Sequence, residues 1–172
     1  AFIEAAKGGK QRITLPNGKT LDVNIPAGVQ EGQQIRLRGQ GEPGAGGGPA
    51  GDVLIDITIL AHPLFVREGD DIHLTLPISL QEAVLGAKIA VPTIDGPVTM
   101  NVAKGANSGG KLRLAGKGCV KSAAKGSAAT RGDQIVTLQV RLPDKPDAAL
   151  SAFIKDWAPE HDYDPRAKLK LN

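Results

Sequence analysis

The sequence predicts a mostly β chain: two tandem, similar β-sandwich-like subdomains with short helices, followed by a C-terminal amphipathic helix. Three observations carry this. The stretch 21–41 (LDVNIPAGVQEGQQIRLRGQG) returns at 98–118 (VTMNVAKGANSGGKLRLAGKG), and a shift of 77 pairs Asn24 with Asn101, Gly28 with Gly105, Arg36 with Arg113 and Gly39 with Gly116. Internal similarity at such a period indicates one unit built twice. The 22 glycines and 12 prolines fall between short runs of Val, Ile and Leu, the pattern of many short strands. Finally, Leu150, Phe153, Ile154 and Trp157 recur at i, i+3, i+4 and i+7, which puts them on one face of a helix.

In chain order, residues 2–9 (FIEAAKGG) read as a short helix ended by glycine. Residues 12–16 and 21–26 flank Asn17-Gly18, a dipeptide that suits the positive φ angles of a tight hairpin. Ile13 and Leu15 share one face of this hairpin, while Leu21, Val23 and Ile25 share another. A strand over 34–38 follows, then a glycine-rich loop over 39–51. Gly39, Gly41 and Gly44 spell G-x-G-x-x-G, but the motif leads into more glycine and a strand. A dinucleotide site needs it between a strand and a helix. Residues 52–60 form a strand with Val53, Ile55, Ile57 and Ile59 on one face, and residues 62–71 form a junction. The second copy starts with a strand over 71–78 and a helix opened by Ser79 and Glu82 as a capping box. Its further strands fall at 87–91, 98–102, 111–114 and 134–142. Pro146 suits the start of the last helix. Subtracting the repeat shift from strand 71–78 places its counterpart before residue 1, so the first copy is expected to lack its opening strand and the native chain to continue upstream. The expected division is 1–65, 66–143 and 144–172.

Catalytic and metal chemistry find no constellation. His62, His73 and His161 share no ligand spacing, and no serine lies in a nucleophile-elbow context. Cys119 is the one cysteine, which excludes an internal disulfide framework and a cysteine zinc cluster. Asp70-Asp71 reads as a turn fixing the junction, and Arg131-Gly132-Asp133 as the start of a strand, matching Gly51-Asp52 in the first copy. No enzyme activity, cofactor or metal is therefore expected. No apolar run approaches the ~18 residues of a membrane span, and no signal peptide is visible, so a soluble, cytoplasmic chain is expected. The net charge of +3 hides an asymmetry: Lys104, Lys111, Arg113, Lys117, Lys121, Lys125 and Arg131 lie within 98–132 without one acid. Such a block suits nucleic acid or a solvated face. Single-strand binders interleave aromatics with their charges, and this stretch has none.

Tandem β units with exposed edges suit a binding module, since a sheet edge accepts an extended peptide through backbone hydrogen bonds. Here the resemblance becomes specific. The segments LPNGKTLDVNIPAGVQEGQQIRLRGQG, GDVLIDITI, HPLFVREGDDIHLTLPISLQEAVLGAKIAVPTIDG and GKG…RGDQIV closely resemble the C-terminal substrate-binding region of DnaJ-type J-domain co-chaperones. The likeness covers nearly all of 2–143, and HPLFVREGDD followed by LQEAVLGA is its most specific part. It implies two β-rich subdomains, a C-terminal dimerisation segment, and a shallow apolar groove for unfolded client polypeptide delivered to a DnaK-type chaperone. Carried over, the groove positions are Ile13, Leu15 and Ile55, and the dimer contacts are Leu150, Phe153, Ile154 and Trp157 of a homodimer. The same three groove residues could equally be ordinary core. The chain departs from the longer family pattern in lacking a J-domain with its His-Pro-Asp tripeptide and Cys-x-x-Cys-x-Gly repeats. It thus resembles the subclass without a zinc finger. A nucleic-acid-binding or architectural module using the basic face at 104–131 is the alternative, and a scaffold in which no peptide binds is a third.

Overall fold

The computed structural model describes residues 1–121, 130–145 and 147–169. Its two compact units are Ala1–Val140 and Arg141–Asn172. The order of the first copy is α1 (Phe2–Lys7), β1 (Gly9–Thr14), β2 (Thr20–Ile25), β3 (Gln34–Leu37) and β4 (Val53–Asp56). The second has β5 (Phe65–Glu68), β6 (Asp71–Ser79), α2 (Leu80–Leu85), β7 (Ala87–Val91), β8 (Val98–Val102), β9 (Lys111–Leu114) and β10 (Gln134–Arg141). The architecture is mostly β, in several small sheets, as the sequence predicts.

Local chemistry sets the element ends. At α2 the Ser79 Oγ accepts from the Glu82 amide at 3.2 Å while Glu82 Oε2 accepts from the Ser79 amide at 2.8 Å, so two otherwise orphaned donors are satisfied. Both short helices stop at glycine, Gly8 at φ 79° and Gly86 at φ 75°, a backbone that side-chain-bearing residues rarely adopt. The Asn17-Gly18 hairpin pairs Ile13 with Leu21 and Gly9 with Ile25. Strand 52–60 is regular only at Val53–Asp56, because beyond it the segment leading into β3 has already turned: Ile57 bonds to Gln33 through its amide and to Gly32 through its carbonyl. The junction holds an element that the sequence reading passes over. β5 pairs antiparallel with β6, Glu68 opposite Asp71, around a turn at Gly69 and Asp70.

The two copies repeat the same polar partners. Arg36 pairs with Asp52 as Arg113 does with Asp133. The Gly39 amide donates to Asp52 at 2.8 Å, and the Gly116 amide to Asp133 at 2.8 Å. The Gly41 amide meets the Gly51 carbonyl, and Gly118 meets Gly132, both at 2.8 Å. A Cβ on Gly118 would lie 2.6 Å from the Asp70 carbonyl oxygen, which explains glycine there. The duplicated glycines, arginines and aspartates are thus a frame that closes β3 onto β4 and β9 onto β10.

The copies differ in how that frame is covered. In the second, the sheet order is β5-β6-β10-β9, with the β7–β8 hairpin packed against it. Ile72, Leu74 and Ile78 of β6 share one core with Val91, Met100, Val102, Val136 and Leu138. In the first, β3 and β4 form a two-stranded sheet and β1 and β2 another. Phe2 and Ala6 of α1 insert into the core of the second copy, so one copy's helix is part of the other's interior. Three polar links reinforce this: the Val120 amide to the Ala6 carbonyl at 3.1 Å, Lys7 to Asp95 at 3.2 Å, and Arg67 to the carbonyls of Val29 and Gly28 at 2.7 and 3.0 Å.

In the second unit, α3 (Ala148–Trp157) is capped by Asp147, whose carboxylate accepts from the Leu150 amide at 2.8 Å. Pro146 lies outside the described residues. Within this unit the predicted stripe is exposed at Phe153, Ile154 and Trp157, while Leu150 is half-buried. The Trp157 indole stacks on His161 at 4.5 Å, and His161 Nδ1 lies 2.8 Å from the Trp157 carbonyl.

Candidate functional site

Alternation along β1, β2 and the run 53–59 turns one row of aliphatic side chains from each toward a common space. Ile13, Val23, Ile25, Val29, Ile55, Ile57 and Ile59, with Ala5 of α1, line a trough of about 270 Å³. Glu4, Gln11, Asp56 and Thr58 stand at its border. The structure therefore brings Ile13 and Ile55 into one site. Leu15 is half-buried and sits one alternation further along the hairpin, where its amide donates to the Lys19 carbonyl at 2.8 Å; it is not part of the trough lining. Val23, Ile25, Ile57 and Ile59 belong to the site as well, and the alternation that marks their strands is the signal that finds them.

The repeat shows what the trough is. Ile13 corresponds to Val91 at a shift of 78, and Ile55 to Val136 at a shift of 81. Val91 and Val136 are 0% exposed, in a core completed by β6 beside β10. Ile13 and Ile55 are only half-buried. Among the described residues no strand lies beside β4 on the side away from β3. The Ile57 amide and carbonyl bond to Gln33 and Gly32, so by alternation the amides of Leu54 and Asp56 point to the open side. The site is an aliphatic trough beside the β4 edge.

The other sequence candidates resolve into structure. His62 Nδ1 accepts from the amides of Leu64 and Phe65 at 3.1 and 3.3 Å, which shapes a turn. His73 faces Glu68 at 3.2 Å. Asp71 accepts from the Asp133 amide at 2.7 Å, and the Asp70 carbonyl from the Cys119 amide at 2.8 Å, so this acid pair fixes the junction. Burial pushes the Cys119 thiol above its ordinary pKa, which disfavours the reactive thiolate. Among the described residues, no group of three or more His, Cys, Asp or Glu could hold a metal ion.

The basic stretch is partly neutralised from within. Arg113 pairs with Asp133 at 3.1 Å, and Asp95 gathers Arg131 at 2.7 Å, Lys117 at 3.8 Å and Lys7 at 3.2 Å. Burial pushes the Asp95 pKa up, but hydrogen bonds from Arg131 and Lys7 outweigh that and hold it below the ordinary carboxylate value. Lys104, Lys111 and Lys121 have no ion pair among the described residues. Lys125 lies outside them. No helix among them is long and apolar enough to cross a membrane.

The first copy of a duplicated β frame thus carries an aliphatic trough. Residues 1–143 match the family model of the DnaJ C terminal domain, and the chain belongs to that family, which is non-enzymatic. It is 43% identical over 158 residues to "Chaperone protein DnaJ 1" of Streptomyces coelicolor, covering 89% of this chain and 38% of the relative. It is 40% identical over 164 residues to "Chaperone protein DnaJ 2" of Corynebacterium efficiens, covering 94% and 40%. A "Curved DNA-binding protein" of Coxiella burnetii is 41% identical over 151 residues, covering 88% and 46%. The chain thus spans less than half the length of these relatives.

Proposed function

We propose that this chain binds extended, apolar segments of unfolded client polypeptide in the trough around Ile13 and Ile55, as a cytoplasmic dimer that passes them to a DnaK-type chaperone. The observation that carries this is the convergence of Ile13 and Ile55 with Val23, Ile25, Ile57 and Ile59 on one aliphatic trough. An extended client lying along it would bury apolar side chains at every second position and offer backbone partners to a sheet edge. Leu15 extends the same strand face beyond the trough. The working division is 1–65 for client binding, 66–143 for the frame that supports it, and 144–172 for dimerisation through Leu150, Phe153, Ile154 and Trp157. The exposed stripe supports that last assignment, since a helix of ten residues is marginal unless its apolar face is buried. The test is the affinity of an alternating Leu-Ser peptide for the chain and for its Ile13→Asp and Ile55→Asp variants; both variants weaken binding if the trough is the site.

A second reading, DNA binding, draws on the name of the Coxiella relative and on Lys104, Lys111 and Lys121. It predicts that duplex DNA affinity falls steeply with salt, since each neutralised phosphate releases counterions. Filter binding from low to physiological salt checks it. A flat response, or no binding at low salt, removes this reading.

A further inference from the structure

The tip of the first hairpin holds an amide placed for reaction with its own backbone. At the turn from Leu15 to Gly18, the Gly18 amide donates to the Leu15 carbonyl at 2.9 Å and the Leu15 amide to the Lys19 carbonyl at 2.8 Å. Gly18 has φ 80°, and no residue other than glycine has a positive φ. This is the three-residue connection closed by a left-handed glycine. Pro16, Asn17, Gly18 and Lys19 are all exposed, and a Cβ on Gly18 would meet nothing within 4 Å. The Asn17 Oδ1 accepts from the Lys19 amide at 3.0 Å. Such a bond folds the side chain back over the peptide that follows it and polarises the Cγ carbonyl. The side-chain amide carbon of Asn17 therefore faces the Gly18 nitrogen, and glycine brings no side chain to hinder ring closure.

The other asparagines among the described residues lack this combination. Asn24 and Asn101 lie in paired strands, opposite Lys10 and Lys88, and precede the branched Ile25 and Val102. Asn107 precedes Ser108, whose amide is tied to the Asn107 Oδ1 at 2.8 Å. We propose that Asn17 is a site of spontaneous modification, at which the folded chain converts to aspartate and isoaspartate. The Gly18 nitrogen gives its proton to solvent base and bonds to Asn17 Cγ. The Cγ–Nδ2 bond breaks, and ammonia leaves with a proton from water. The five-membered succinimide so formed takes up one water. Opening at Cγ restores the main chain with an aspartate, whereas opening at the main-chain carbonyl carbon leaves an isoaspartate, whose backbone runs through the side chain. One water enters, one ammonia leaves, and nothing is oxidised or reduced. The repeat shows that the first product fits the turn. At a shift of 78, Asn17-Gly18 answers Asp95-Gly96, where the Gly96 amide donates to the Thr93 carbonyl at 3.1 Å as Gly18 does to Leu15. The second product adds a main-chain atom between the two hydrogen bonds that meet at Leu15. The conversion needs no client, so it stands apart from the binding proposal.

The test incubates the full chain, folded in buffer and unfolded in guanidinium chloride, one pH unit apart on the alkaline side of neutral. Trypsin cuts after Arg12 and Lys19 and so releases residues 13–19 as one peptide. Mass spectrometry counts the exchange of amide for acid, and chromatography separates the two acidic products; a fresh sample digested in parallel corrects for conversion during digestion. Peptide 13–19 of the folded chain should yield both products. Its rate should rise about tenfold over the pH unit, as the deprotonated fraction of so weak an acid does. Releasing the one exposed Gly18 hydrogen bond should slow the folded chain by no more than about tenfold against the unfolded one, ~1.4 kcal/mol. Peptides carrying Asn24, Asn101 and Asn107 should convert at least about tenfold more slowly in the folded chain. Asn17→Gln, whose ring would need six members, should leave 13–19 unconverted. If 13–19 keeps its amide in the folded chain while converting in guanidinium chloride, the turn protects Asn17 and the inference is overturned. Conversion at Asn107 as fast as at Asn17, or none at Asn17 in either state, overturns it too.

Discussion

Replacing Ile55 and Val136 by aspartate, one at a time, places the same change at equivalent positions of the two copies. Val136 is 0% exposed, in a core with β6 residues on its far side. There the change loses about 2 kcal/mol of apolar burial and buries a carboxyl without a partner, at roughly 1–3 kcal/mol more. A loss of about 3–5 kcal/mol is a large share of a domain's stability, and Val136→Asp should unfold at much lower urea or not accumulate folded. Ile55 is half-buried, so the new carboxyl keeps part of its hydration and about 1 kcal/mol is lost. The fold persists, but a bound strand can no longer bury an aliphatic side chain there. With ~1.5–3 kcal/mol of contact removed, peptide affinity falls about 10- to 100-fold. Urea melts followed by circular dichroism, with peptide anisotropy on the same samples, give both numbers. If Ile55→Asp destabilises as much as Val136→Asp, the first-copy face is ordinary core. If Ile55→Asp melts mildly yet binds peptide as well as the unchanged chain, the trough is not the site.

Two further outcomes follow from other parts of the molecule. Phe153→Glu combined with Trp157→Ala removes the exposed stripe of α3; if α3 dimerises the chain, sedimentation should find a dimer for the unchanged chain and monomers for this variant, and a dimer that survives assigns the contact elsewhere. Asp95 holds Lys7 of the first copy against the second, with its pKa below the ordinary value of 3.8. A depressed carboxyl contributes stability that is fully present above the unfolded pKa and is lost as pH falls through the folded one. Melts should therefore lose this contribution only below about pH 4, and Asp95→Asn should flatten that acid limb. An unchanged limb in the variant would place the acid sensitivity elsewhere.

Much of this architecture is legible in the residues because its causes are local. Asn17-Gly18 announces its hairpin, Ser79 and Glu82 announce α2, and the i, i+3, i+4, i+7 spacing announces α3. The rows Val23–Ile25 and Ile55–Ile59 are readable by alternation as well. What is not legible depends on partners distant in sequence. β5 is short and carries Arg67 and Glu68, so only its pairing with β6 reveals it. Alternation gives Ile55 and Val136 the same apolar face but not their different burial: Val136 is fully buried in the core that β6 joins, while Ile55 is half-buried. The basic block looks continuous along the chain, yet Asp95 and Asp133 neutralise half of what the structure describes of it. The ring cluster at the junction draws on Phe2, His62 and Phe65, which no spacing rule connects.

The proposed client lies along the aliphatic trough beside β4. Backbone hydrogen exchange read residue by residue, with and without the alternating Leu-Ser peptide, tests it most directly. Leu54 and Asp56, whose amides face away from β3, should gain protection when peptide is added. Their counterparts Ile135 and Thr137 on β10 should be slow throughout. Protection that leaves Leu54 and Asp56 unchanged while peptide is bound would contradict it.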